Sequence, residues 1–223
     1  MQENFLKVIK KNWEIILIFP LILGFLSFSI SAFLPVRYSS EVKILVIQKQ
    51  PNDKVDAFSA AKSAEYLGDV LSRMIYVDSF IDDVKNSSLD IKWNFSSSSE
   101  KRKKEWAKEI DIKKINNTGI LEIKVLDRSK AEAKKISEAI ANNFISNGKK
   151  YHGGGDNVEI KLIDGPILSD FQASPNILLN IIFAFAIGLI GSFSWVYYHN
   201  FSRIVLEKED KKNYLNDKIN FFR

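Results

Sequence analysis

The sequence contains no cysteine, and only two histidines, two methionines and five prolines among 223 residues. Without cysteine there is no disulfide, no thiolate nucleophile and no thiolate-held metal. The two histidines, His152 and His199, stand far apart, and neither has a second histidine at metal-ligand spacing. Gly153, Gly154 and Gly155 are followed by Asp156 and Asn157, not by Lys-Ser or Lys-Thr, so they make no phosphate-binding loop. No G-x-S-x-G elbow occurs. Asp82 and Asp83 are adjacent, which on a helix turns them about 100° apart and makes no acid–base pair. These absences argue against an enzyme and call for no cofactor. The net charge of +5 is spread along the chain and marks no nucleic-acid partner. Asn86, Asn94, Asn116 and Asn200 fall in N-x-Ser/Thr patterns, as chance allows in an Asn- and Ser-rich chain.

What the chain does have is apolar residues gathered into two blocks. One is Ile15–Leu34, "IILIFPLILGFLSFSISAFL"; the other runs without a charge from Ile177 to Tyr198. About 20 such residues make a helix roughly 30 Å long, the thickness of a bilayer's hydrocarbon core. Trp13 opens the first block, and Trp195, Tyr197 and Tyr198 close the second, as rings that favour the headgroup level do. Pro20 and Gly24 are tolerated inside a spanning helix. Lys7, Lys10 and Lys11 precede the first block, and Arg203, Lys208, Lys211 and Lys212 follow the second. The positive-inside rule then places both ends in the cytoplasm and the middle outside. The expected organisation is a cytoplasmic N-terminus over 1–12, a span over 13–34, an extracytoplasmic domain over 35–175, a second span over 176–198 and a cytoplasmic tail over 199–223. Two alternatives stand beside it. The blocks would serve as core helices of a soluble bundle, or the first as a signal peptide cleaved after "SIS", before Ala32.

The middle segment alternates strand and helix patterns. Pro35 stops the first block, and Val42, Ile44 and Val46 alternate along a strand. "QKQPNDKVD" is a loop. Phe58, Ala61, Leu67, Val70, Leu71 and Met74 recur at helical spacing over Ala57–Met74, with Asp56 as cap. A short helix is expected over Ser79–Lys85, burying Phe80, Ile81 and Val84, with Asp78 as cap. Ser96–Ile110 is polar and suits a short helix capped by Ser99, with i,i+4 pairs Glu100–Lys104 and Lys101–Glu105. Glu109–Asp127 reads as a hairpin turning at Asn116–Gly119. Ser129 and Glu132 form a capping box for a helix with the stripe Ala133, Ile136, Ile140 and Phe144, stopped by Gly148. "YHGGGDN" is a loop, and Val158, Ile160 and Leu162 open a last strand. The fold class is therefore a membrane-anchored α+β domain of β-α-β-β-α-β type, helices on one face of a sheet. Placed side by side, its first and last strands would hold the two spans together.

Three surfaces are candidates for contact. Ala184, Gly188 and Ser192, with Ser27 and Ser31, put small residues at four-residue spacing for close helix packing. Lys101, Arg102, Lys103 and Lys104 suit an anionic glycan or lipid headgroup, or form a solvated helix face. Tyr214, Phe221, Phe222 and Arg223 suit a docking peptide for a partner such as a kinase. The other reading of this tail is a helix lying on the bilayer with Val205, Leu206, Leu215 and Ile219 inward.

The layout resembles the chain-length determinant proteins of surface polysaccharide synthesis, the Wzz-like polysaccharide co-polymerases and the related activators of bacterial tyrosine kinases. "LPVRYSSEVKILV" resembles their post-span proline and first strand, and "VDSFIDDVKNSSLDI" their short helix. "ILEIKVLDRSKAEAKKISEAIANNFI" resembles their strand, Asp turn and Ala-rich helix. "VEIKLIDGP" followed by "ASPN" resembles the last strand and proline lead-in. The lead-in is thin, with only Pro166 and Pro175, and the long extending helix of larger members is missing, so the chain is similar to the short, kinase-activating form. The resemblance implies a non-enzymatic homo-oligomer that regulates the chain length or export of O-antigen, capsule or exopolysaccharide. It implies as partners a polymerase, a glycan or lipid-linked glycan, the cytoplasmic membrane and a tyrosine kinase; since no kinase domain follows the second span, that kinase is expected to be a separate protein. The alternative is an envelope sensor or scaffold that binds another ligand.

Overall fold

The computed structural model of the chain describes residues 10–49, 57–153 and 155–221, and its account of side chains ends at Asn200. The chain divides into two units, one made of 1–34 and 176–223, the other of Pro35–Pro175.

In the first unit, helix α1 is Trp13–Phe33, and a second helix, numbered α7 by chain order, is Ile177–Phe221. Trp13–Phe33 and Ile177–Asn200 are long and apolar enough to cross a membrane by length and composition, and most of each is not buried in protein. A core helix of a soluble protein would be mostly buried. The tail does not break from the apolar block, because the backbone of α7 continues as one helix of 45 residues.

The second unit begins with β1, Tyr38–Gln48, in which Ser40, Val42, Ile44 and Val46 are buried and the residues between them are not. Helices α2 (Ala57–Met74), α3 (Asp78–Lys85) and α4 (Ser99–Glu109) follow. The hairpin β2 (Ile110–Lys114) and β3 (Ile120–Asp127) comes next, then α5 (Lys130–Asn147), the short α6 (Lys149–His152) and β4 (Val158–Leu168). The sheet order is β2-β3-β1-β4, and all three pairings are antiparallel. β1 and β4 are thus neighbours, and an isolated bridge from Arg37 to Ser174 prolongs their pairing. The buried face of the sheet packs Val42, Ile44, Leu121, Ile123 and Val125 against Leu71, Ile75, Phe80, Ile136, Ile140 and Phe144. Phe80 and Phe144 stack with ring centroids 4.5 Å apart. One polar pair lies in this core, Ser40 Oγ and Ser137 Oγ at 2.7 Å, which satisfies both hydroxyls where water is excluded.

Several local expectations need correction. Phe58 and Ala61 are exposed on α2; the buried stripe is Ala64, Leu67, Gly68 and Leu71, rotated because the sheet lies under that face. Asp56 lies outside the described residues. Asp78 is the first residue of α3 and caps nothing; Val77 holds the N-cap position. Ser99 likewise opens α4, after Ser98. The capping box on α5 is one-sided. The amide of Glu132 donates to Ser129 Oγ at 3.4 Å, but the amide of Ser129 donates to Asp127 Oδ1 at 2.7 Å. The carboxylate of Glu132 instead accepts from the Lys92 amide at 2.8 Å and the Lys135 ammonium at 3.3 Å. Gly148 does not stop the helix in a left-handed turn, having φ −53°; Tyr151 and His152 are helical, and the left-handed residue is Gly153, with φ 67°. Leu162 is exposed although it pairs with Ile44 in regular register; β4 is an edge strand of the sheet, and its two register shifts against β1 follow this residue. At the second shift Gly165 has φ 95°, and a Cβ there would stand 2.4 Å from the Glu41 carbonyl, so only glycine fits.

Replacing Phe80 by Ala should destabilise the full chain by about 3–5 kcal/mol, whereas Phe58→Ala should stay within about 0.5 kcal/mol. Denaturant unfolding in detergent, followed by far-UV circular dichroism, checks both.

Candidate functional site

The small residues of the first unit come together along one seam. Ser192 is buried, with its hydroxyl 3.5 Å from the Ile16 carbonyl and 2.9 Å from that of Leu189. Asn180 Nδ2 donates to Ser31 Oγ at 3.1 Å. A Cβ on Gly188 would stand 2.6 Å from Pro20 Cα, and one on Gly24 would stand 3.8 Å from Ile181. Residue numbers rise on one helix as they fall on the other, so α1 and α7 run antiparallel. Ala184 and Ser27 are half-buried beside this line. Pro20, Gly24 and Asn180 are further members; Asn180 continues the four-residue series of Ala184, Gly188 and Ser192 but is not a small residue. The signal for Asn180 is a lone amide inside an apolar run, which in a low-dielectric setting demands a partner. Close approach at Gly188 works through the missing side chain, since the Pro20 backbone occupies the place of a Cβ.

The basic run sits on α4, which Trp106 holds down. That indole is buried and donates from Nε1 to the Ile75 carbonyl at 3.0 Å. Arg102 forks to Asp78 at 2.7 Å and Asp82 at 3.2 Å. Lys103 reaches Asp78 at 2.9 Å, and Lys104 reaches Glu100 at 2.6 Å. Lys101 is exposed. It makes no pair with Glu105, whose carboxylate accepts from the Ser96 amide at 2.8 Å. Three of the four basic side chains are therefore engaged within the unit. The Ser99 hydroxyl, then Arg102 and Lys103, hold the Asp78 carboxyl far below the usual carboxylate range.

Other titratable groups are also engaged structurally. Asp83 accepts from the Tyr151 hydroxyl at 2.7 Å and from Lys150 at 3.2 Å. The Tyr151 bond lowers Asp83, while burial and Asp83 together push Tyr151 up to about 12. His152 borders an open cavity of about 450 Å³ beside Lys49, Asp156 and Glu159. Burial and Lys149 lower its pKa. Lys49 pairs with Glu159 at 3.0 Å, and Lys149 pairs with Asp156 across the rim. On the tail, Tyr214 and Phe221 lie on the backbone of α7; their side chains, and Phe222 and Arg223 altogether, lie outside the described residues.

Compared with known families, residues 3–89 match the family described as Wzz, chain length determinant protein. Over that stretch the chain is Wzz-like. The match covers α1, β1, α2 and α3, and so takes in the passage from apolar helix to first strand. The resemblance read from "LPVRYSSEVKILV" and "VDSFIDDVKNSSLDI" falls within it, the latter up to Leu89. The second half of the sheet and α7 lie beyond the match. No curated protein matches the chain.

Two outcomes follow. Gly188→Ala should force α1 from α7 at Pro20 and lower the unfolding free energy in detergent by about 1–3 kcal/mol. Gly191→Ala, where a Cβ would lie 3.5 Å from the Phe19 ring, should be tolerated. Asp78, with its folded pKa depressed, adds stability that is complete above the ordinary Asp value near 4 and is lost as pH falls below it. Asp78→Asn should therefore lower the melting temperature at pH 7, and the gap to the native chain should begin to narrow as pH falls below about 4.

Proposed function

We propose that this chain is a non-enzymatic membrane regulator of the chain length of a surface polysaccharide. The observation that carries the reading is the Wzz match over residues 3–89, since proteins of that family set polysaccharide chain length. In this reading α1 and α7 cross the cytoplasmic membrane over 13–34 and 176–198. The segment 35–175 lies outside, and 1–12 and 199–223 lie in the cytoplasm. Support comes from the outward faces of both helices, where Leu21, Ile22, Phe25, Ile182, Phe183, Ile187 and Ile190 are exposed and apolar. Water disfavours such a surface and lipid accommodates it. The antiparallel course of the pair agrees with two ends on one side. Lys10 and Lys11 at one end and Arg203 and Lys208 at the other support a cytoplasmic position for that side.

Regulation without chemistry calls for contacts. Several copies acting beside a polymerase would raise the local concentration of weak sites for the growing glycan without any strong single site. Among the candidate glycan-binding cations on α4, Lys101 is exposed and makes no ion pair among the described residues. At 45 residues, α7 is about 68 Å long, more than twice the hydrocarbon thickness. Its last turns, with Tyr214 and Phe221, would extend into the cytoplasm and offer a helix to a separate kinase.

Deleting the gene should shift or abolish the length distribution of the cell's surface polysaccharide on a gel. Complementation by a form lacking Asn213–Arg223 should restore it if the kinase contact is dispensable. An unchanged distribution in a strain that makes abundant polymer would overturn the reading in favour of an envelope sensor or scaffold.

A further inference from the structure

The end of the second unit where the chain enters and leaves carries an exposed aromatic on a fixed loop. The loop after β4, Ser169–Ser174, is tied to the start of β1 at several points. The Ser169 amide donates to the Ser39 carbonyl at 2.8 Å, and the Ala173 amide to the Arg37 carbonyl at 2.8 Å. The Arg37 amide returns a bond to Ser174 O at 2.9 Å. The Ser39 amide donates to Ser169 Oγ at 2.9 Å, and Lys130 Nζ donates to the Asp170 carbonyl at 3.0 Å. A loop held this firmly does not expose a side chain by fraying. Yet Phe171 at its tip is 84% exposed, more than any other large hydrophobic described in this unit. Val36, just before β1, and Ile167 and Leu168, at the end of β4, are exposed as well. Among the described residues nothing covers this apolar tip.

We infer that Phe171, with Val36 and Ile167, seats in the headgroup layer of the bilayer and fixes this end of the unit to the lipid surface. The inference rests on the reading that α1 and α7 span the membrane. Covalent length names the occupant. Five residues, Gln172–Asn176, separate Phe171 from Ile177, which keeps the two Cα atoms within about 20 Å. Only Leu34 and Pro35 separate Val36 from Phe33, the last residue of α1. Whatever lies around the ends of the two spans lies around these residues, and that is lipid headgroup. The nearby charges are mixed, with Arg37, Arg128 and Lys130 against Asp127 and Asp170. They select no sign of headgroup, so the attraction is burial of the apolar tip. Tyr38, whose ring lies 5.0 Å below the Lys130 ammonium, adds a second ring of the amphipathic kind that favours this layer.

The absence of native cysteine makes the test clean. Phe171→Cys, Tyr66→Cys and Phe183→Cys are each labelled with bimane in the full chain, which is reconstituted into phosphatidylcholine–phosphatidylglycerol vesicles. Lipids brominated near the ester end or near the chain terminus quench from inside the bilayer, and iodide quenches from water. The label at Phe183 should be quenched by bromolipid. That at Phe171 should be quenched most by the bromines nearest the headgroup and shielded from iodide. Tyr66, exposed on α2, should respond to iodide alone. If Phe171 behaves like Tyr66 while Phe183 stays in lipid, the anchor is overturned and the spanning reading stands. If Phe183 is open to iodide, the spanning reading falls and the anchor with it.

Discussion

The antiparallel pairing of β1 with β4 is the constraint on which the rest depends. It is long, from Gln48 opposite Val158 to Ser40 opposite Leu168, and the Arg37–Ser174 bridge continues it almost to Pro35 and Pro175. The second unit therefore receives and releases the chain at one place. β1 is also the strand that β3 pairs on its other side, and its buried residues meet α2 and α5. Loss of its alternation would remove the sheet's centre and the unit's closure together. In the first unit the antiparallel helices keep their own seam, with the Pro20 backbone in the space that Gly188 leaves empty. Each unit by its own packing brings together the two stretches of chain that join them.

Several acidic side chains are engaged in holding this fold. Asp78 and Asp82 tie α3 to α4 through Arg102; Asp83 ties α3 to Tyr151. Glu132 closes the segment before α4 onto α5 through the Lys92 amide. Burial raises the Glu132 pKa, and the bonds from Lys92 and Lys135 outweigh it, so the group stays below the ordinary value. Among the described residues, the surfaces of this molecule include two apolar helix faces, a largely neutralised basic helix and an apolar loop tip.

The parts legible in sequence were those governed by local periodicity. The alternation Val42, Ile44, Val46 reported β1, and the Ser129 cap with Ile136, Ile140 and Phe144 reported α5, because one face of each meets one partner. The two uncharged blocks reported themselves by length. Trp106 was illegible: it is the one buried residue of an otherwise polar helix, and a single anchor makes no stripe. β4 misled because it lies at the sheet's edge, where Leu162 keeps the alternation begun by Val158 and Ile160 and is exposed all the same. The rotated stripe of α2 depends on the angle at which it meets the sheet, which no local pattern records. For the candidate sites, the basic run could be seen but not its neutralisation, since Asp78 and Arg102 are 24 residues apart.

The central claim is that the paired apolar helices carry a regulator of polysaccharide length. Its most direct test is the size distribution of surface polysaccharide from cells carrying Gly188→Leu in place of the native chain, with protein amount in the membrane matched. The account predicts a distribution displaced toward that of cells lacking the protein, with Gly191→Ala cells unchanged. A native distribution from the Gly188→Leu chain, with the two helices shown by cross-linking to be parted, would contradict it.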